Sequence, residues 1–147
     1  MNIAHIIENI YKLTPSNIDG QIEHCNCGCC SHINFKRLKS LNRRKIDFIT
    51  LGKYADKSIT TIGTVDNYLY FLPRICEMIL EEKINTSLYN CLISKLEYSG
   101  FENLNLQLRY WLILFLKELS KLDNFEVKSE FNEINKFIKK YEKTLHK

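Results

Sequence analysis

The stretch Leu104-Asn105-Leu106-Gln107-Leu108-Arg109-Tyr110-Trp111-Leu112-Ile113-Leu114-Phe115-Leu116-Lys117-Glu118-Leu119-Ser120-Lys121-Leu122 is apolar almost all round, with Trp111 and Phe115 at its centre. A helix with so little polar surface has nothing to turn toward water, so it belongs in the middle of a bundle. Its neighbours read the same way. Downstream, Asp123-x-x-Glu126 resembles a capping box. It opens a helix whose Val127, Phe131, Ile134, Ile138, Tyr141 and Leu145 form one stripe opposite Lys and Glu residues.

Upstream, Ser99-Gly100 is a C-terminal stop for a helix with Leu88, Leu92 and Leu96 as its core stripe and an N-cap at Asn85-Thr86-Ser87. Before that, Gly63 permits a turn with positive φ and Thr64 is a suitable N-cap. The helix they start carries Tyr68, Phe71, Leu72, Ile75, Met78 and Ile79 on a broad face. Pro73 lies inside it and, lacking an N–H, is expected to kink the helix or start a new one. Ile46 to Tyr54 reads as another helix, with Phe48, Ile49, Leu51 and Tyr54 as candidate core residues. At the amino end Ile3, Ile6, Ile7, Ile10 and Tyr11 recur at helical spacing, and Thr14-Pro15 stops that helix. The chain therefore reads as all-α, a single compact helical domain over 1–147 with about six or seven helices.

Composition agrees. The chain has 147 residues, 45% hydrophobic and 26% charged, which suits one globular domain with a real core. Five Gly and two Pro offer little for a turn-rich β architecture. The first residues lack a basic n-region, with Glu8 and Asn9 interrupting the apolar ones, so no signal peptide is expected. The longest apolar run, Tyr110 to Leu116, is far short of a membrane span. A cytoplasmic protein is expected, in which six cysteines favour metal binding or buried thiols over disulfides.

Four of those cysteines crowd into Glu23-His24-Cys25-Asn26-Cys27-Gly28-Cys29-Cys30-Ser31-His32, residues 23–32, after the first helix. Structural zinc takes four S or N ligands, and C-x2-C spacing lets one tight turn offer two thiolates. Cys27 and Cys30 supply that spacing, with Cys25, His24 and His32 as further ligands. Adjacent Cys29 and Cys30 are expected to point apart. Zinc is the expected metal; copper(I) and an iron–sulfur cluster are the less favoured alternatives. A thiol- or metal-responsive sensor is a third use of the same residues. Cys76 and Cys91 read as small hydrophobes of the core, and His5 and His146 as solvent-facing.

The segment Phe35 to Lys45 holds Lys36, Arg37, Lys39, Arg43, Arg44 and Lys45 and no acid. A short helix with a basic outer surface could track a phosphate backbone, which makes a nucleic-acid-associated regulator the alternative reading. No aromatic residues alternate with these charges as a stacking surface, apart from Phe35 at the edge. There is no Gly-rich phosphate loop, no H-E-x-x-H and no nucleophile elbow. The preferred expectation is a non-enzymatic protein acting through a protein partner, as an adaptor, antitoxin, immunity protein or inhibitor would.

From Tyr54 to Arg74 the chain also carries a recognisable pattern. Tyr54, Ala55, Thr60, Thr61, Gly63, Asp66, Phe71, Leu72, Pro73 and Arg74 resemble the motif of an uncharacterised bacterial family. Its members have a short Cys-rich segment, a Tyr-Ala pair, a Thr-Thr-Trp-Gly turn, an acidic position and Phe-Leu-Pro-Arg. Ile62 stands where Trp is usual, and the cysteine segment matches more loosely. The resemblance covers about half the chain, implies a bacterial or phage origin and carries no activity with it. Physically, the motif admits an anion or partner site around Thr60, Thr61 and Arg74. Asp66 and Arg74 are too far apart for an ordinary helical pair, though a kink at Pro73 would let Arg74 reach a partner elsewhere; the preferred reading is structural, a fixed helix entry and a buried Arg–Asp contact.

Overall fold

The computed structural model describes residues 1–81, 86–122 and 128–146. Among them are seven α-helices: α1 (Ile3–Leu13), α2 (Phe35–Ser40), α3 (Phe48–Lys57), α4 (Val65–Glu81), α5 (Thr86–Tyr98), α6 (Leu106–Leu119) and α7 (Lys128–Glu142). Short 3-10 turns lie at Gly28–Cys30, Arg43–Lys45 and Phe101–Asn103. The described residues contain no strand, only two isolated bridges centred on Ile62. No described helix is long and apolar enough to cross a membrane.

Local chemistry sets the helix ends. Asn2 caps α1 through its side chain, and Thr14 closes it by donating to the Ile10 carbonyl. Asp47 caps α3, accepting from the Thr50 N–H at 2.9 Å. Asn105 caps α6. Thr64 and Asn67 satisfy each other at the start of α4: the Thr64 N–H donates to Asn67 Oδ1 and the Asn67 N–H to Thr64 Oγ1. That is the reciprocal logic of a capping box with Asn in the acidic position. The expected caps at Asn85, Asp123 and Glu126, the stripe residue Val127 and the side chain of Leu88 lie outside the described residues.

The core is continuous. Ile6 and Ile10 of α1, Leu51 and Tyr54 of α3, Tyr68, Phe71, Leu72 and Ile75 of α4, Leu92 and Leu96 of α5, Leu112 and Phe115 of α6, and Ile134 and Phe137 of α7 are all buried in it. Helix α6 packs most extensively on α1 and then on α7. It is less enclosed than its composition suggests, because Leu106 and Tyr110 are 50% and 45% exposed and Trp111 is half-buried. Ile49 also departs from the core expectation, at 67% exposure, because it follows Phe48 on the outer side of a helix whose Leu51, Tyr54 and Ala55 face inward.

Pro73 does not divide α4, which runs from Val65 to Glu81 with Pro73 buried inside it. Phe71 and Leu72 before the proline and Ile75 and Cys76 after it are buried in the core. Pro73 leaves the Leu69 carbonyl without its helical N–H donor, and the next carbonyl, that of Tyr70, accepts from Arg43 Nη1 at 2.9 Å. Arg74 makes no contact with Asp66, which is exposed. Instead Arg74 Nε donates to the Ile46 carbonyl at 3.1 Å, and Nη1 donates to Glu77 and Glu81, each at 2.9 Å. Acids three and seven residues ahead lie on the same helix face, whereas Asp66, eight residues back, is out of reach.

Candidate metal centre

Two buried isoleucines, Ile22 and Ile33, hold the ends of the cysteine segment in the core. Between them the chain is extended at Cys27 and folds into the 3-10 turn Gly28–Cys30. Ser31 closes that turn, its Oγ donating to the Gly28 carbonyl at 2.7 Å. Cys27, from the extended chain, and Cys29, from the turn, bring their sulfurs to that of Cys25, all within 4.8 Å of one another. The turn then folds Cys30 under them.

Cys25 is the hub. Its sulfur is in direct contact with that of Cys27, as a disulfide pair. It lies 3.0 Å from Cys29 Sγ and 3.6 Å from Cys30 Sγ, and Cys29 and Cys30 are 3.6 Å apart. Two expectations change here. The adjacent thiols of Cys29 and Cys30 converge, because a 3-10 turn does not alternate side chains as a strand does. The Cys25–Cys27 pairing likewise departs from thiols alone, and the extended Cys-x-Cys spacing is its cause.

Cys25, Cys27 and Cys29 could hold a metal ion. With Zn–S bonds of about 2.3 Å, a tetrahedral site separates its sulfurs by about 3.8 Å; Cys30 Sγ lies 3.6 Å from Cys25 and Cys29, whereas the 3.0 Å Cys25–Cys29 contact and the Cys25–Cys27 disulfide would have to open for an ion to enter. Cys30 is 3% exposed, and burial pushes its thiol pKa up, with the hydrogen bond to Cys29 adding to that effect. Lys57, at the end of α3, pulls it down, so a cation stands near a site whose thiolates would carry negative charge. The histidines are placed differently. His24 stacks on Phe35, with ring centroids 4.1 Å apart, and its Nδ1 faces the Cys25 carbonyl at 3.1 Å. His32 is exposed and lies outside the thiol group. The alternation of Cys25, Cys27 and Cys29 was the sequence signal for Cys29, overshadowed by the C-x2-C spacing.

The thiol cluster does not stand alone. The segment leading into it pairs with the Thr60-Thr61-Ile62-Gly63 turn: His24 bridges Ile62, and the Gly63 N–H donates to the Glu23 carbonyl at 2.7 Å. Ile62 is fully buried beneath this seam. The turn is strained, since Ile59 has φ of 66°, a conformation β-branched residues rarely adopt. Its N–H donates to the Ile62 carbonyl at 2.9 Å, which holds it there. The two sequence motifs are thus one structural unit.

Thr60, Thr61 and Arg74 are not brought together by any contact among the described residues. Thr60 Oγ1 accepts from Lys95 Nζ at 3.1 Å and Lys95 is buried. Thr61 is exposed, and Arg74 is occupied by the Glu77, Glu81 and Ile46 contacts described above. Cys76 is buried, and Cys91 donates to the Ala55 carbonyl at 3.1 Å.

The basic segment is largely turned to internal use. Arg43 inserts between α1 and α4: Nη1 donates to Thr14 Oγ1, the Pro15 carbonyl and the Tyr70 carbonyl, and Nη2 to the Tyr11 carbonyl. Its guanidinium also lies over the rings of Tyr11 and Tyr70. Arg44 grips Glu8 with two bonds of 2.7 and 2.9 Å while covering Tyr11, which holds the Glu8 carboxyl below its usual range. Arg37 pairs with Asp47, and Lys39 donates to the Gly20 carbonyl. Among the described residues, Lys36 and Lys45 alone of the six have no such partner.

No protein-family model, curated protein or solved structure matches the chain, so the resemblance to an uncharacterised bacterial family rests on its motif residues alone.

Proposed function

We propose that Cys25, Cys27, Cys29 and Cys30 bind one structural zinc ion that clamps the cysteine loop onto the turn before α4. The clustering of the four sulfurs on a seam already stitched by the Gly63–Glu23 hydrogen bond is the observation that carries this reading, with Cys25 and Cys27 ligating once their disulfide is reduced. Zinc is favoured over copper(I) because a fourth thiolate completes a tetrahedron, and over an iron–sulfur cluster because the sulfurs of Cys25, Cys27 and Cys29 lie within 4.8 Å of one another, too close together to span a multinuclear cluster. Four thiolates leave no open coordination position, whereas catalytic zinc keeps one for water or substrate. With no open position at the metal, the reading keeps the expectation of a non-enzymatic protein that acts through a protein partner in a reducing, cytoplasmic setting. The engagement of Arg37, Lys39, Arg43 and Arg44 within the fold makes nucleic acid the less favoured partner.

Elemental analysis of untagged protein purified under reductant tests the metal. About one zinc per chain is expected, and a strong chelator should lower the thermal midpoint, because metal binding contributes folding free energy. A metal-free protein whose midpoint does not respond to added zinc overturns the reading.

A further inference from the structure

A site that only clamps a loop gains from keeping its ligands away from solvent. Here Cys27 and Cys29 are exposed and Cys25 is half-exposed, while Cys30 alone is buried. The Cys25 sulfur is paired with Cys27 and has a second thiol, Cys29, 3.0 Å away. We propose that Cys25 and Cys27 form a reversible dithiol–disulfide couple, whose oxidation by a hydroperoxide removes two of the metal's four ligands and releases it. The metal half of this proposal rests on the zinc reading above; the disulfide half does not.

The chemistry balances without a further reactant. The exposed Cys27 thiolate attacks the terminal peroxide oxygen and breaks the O–O bond. The alkoxide or hydroxide that leaves takes a proton from solvent, and Cys27 becomes a sulfenic acid. The Cys25 thiolate attacks that sulfur, forms the S–S bond and expels hydroxide, which is protonated to water. The two sulfurs together lose two electrons, and the peroxide gains them. Neither paired sulfur is then a thiolate, so zinc is left with Cys29 and Cys30 and dissociates. Recovery begins when a dithiol attacks the disulfide.

The experiment uses the full chain, loaded with zinc under reductant, desalted without air and treated with one equivalent of hydrogen peroxide. A chromogenic chelator follows zinc, and alkylation followed by fragment-ion sequencing locates the oxidised thiols. Sequencing is needed because trypsin leaves all four clustered cysteines in the peptide Leu13–Lys36. The expected result is release of the bound zinc in step with loss of free thiols at Cys25 and Cys27, both restored by dithiothreitol plus zinc. Cys30 and Cys76 should remain alkylatable after unfolding. Zinc that stays bound, oxidation that runs to sulfinic acid, or a disulfide mapped to any other pair overturns the proposal. If the protein carries no zinc but Cys25 and Cys27 still pair reversibly, the couple stands and the zinc reading falls.

Discussion

The Gly63 N–H donates to the Glu23 carbonyl at 2.7 Å, and this bond joins the entry of the cysteine loop to the turn that starts α4. Gly63 has φ of +67°, and a Cβ there would lie 2.7 Å from Asn67 Oδ1 and 3.3 Å from Ile22 Cγ2. Gly63→Ala should therefore cost about 2–3 kcal/mol, combining left-handed strain with a displaced cap. Gly20 has φ of +73° but nothing within 4 Å, so Gly20→Ala should cost only about 1 kcal/mol. Urea unfolding of the two variants checks this; equal losses would show that the Asn67 and Ile22 contacts contribute nothing.

Arg43 acts inside the fold. Arg43→Ala removes donors from four acceptors on α1, the following loop and α4, and is expected to cost about 2–4 kcal/mol. Arg43→Lys should recover little, because one ammonium cannot reproduce the planar fork that spans these carbonyls. Lys36→Ala, on a residue with no partner among those described, should stay within about 0.5 kcal/mol of the parent. Chemical denaturation midpoints at constant m-value make the comparison, and an equal effect of Arg43→Ala and Lys36→Ala would return the basic segment to the surface.

Asp47 links stability to pH. Accepting the Thr50 N–H, with help from the Thr50 hydroxyl and Arg37, lowers its carboxyl pKa to about 2 from an ordinary 3.8. A carboxyl with a depressed folded-state pKa stabilises the fold fully above its unfolded value. That contribution is lost as pH falls from about 4 through about 2. Asp47→Ala should cost about 1 kcal/mol at pH 7, and the gap to the parent should shrink as pH approaches 2. Thermal midpoints of both proteins across that window provide the test; a gap independent of pH would mean that the carboxylate charge is irrelevant to the cap.

The ligand set can be read by substitution. Serine at Cys25, Cys27, Cys29 or Cys30 should each weaken zinc binding by at least about tenfold, a scale at which even indirect partners of a metal register. His24→Ala, His32→Ala and Cys91→Ser should leave it unchanged. Because thiolates must lose their protons to bind, affinity should fall as pH is lowered. Competition with a zinc-binding dye at pH 7.5 and pH 6 measures both effects. Loss of binding in His32→Ala with full binding in Cys29→Ser would restore the mixed Cys/His site.

Periodicity is a local property, and what it predicts was determined by the sequence alone. The apolar spacing of Ile3 to Tyr11, the stripe Tyr68 to Ile79 and the near-continuous run of α6 each specify a helix from residues within a few turns. The caps at Thr64 and Gly63 are equally local, as is the crowding of thiols between Cys25 and Cys30. What stands across from a residue is another matter. Charge made Arg43 look like part of an outer face, but the carbonyls of Tyr11, Pro15 and Tyr70 that bury it are distant in the chain and silent in its composition. Arg74 likewise looked to Asp66 for a partner and is satisfied by Glu77, Glu81 and the Ile46 carbonyl. Only the tertiary structure shows that Cys25, rather than the C-x2-C pair, is the centre of the thiol group. Only it places that group on the Ile62–Gly63 turn. Backbone pairing between residues some forty positions apart leaves no mark on side-chain spacing, so two motifs that read as separate are one unit.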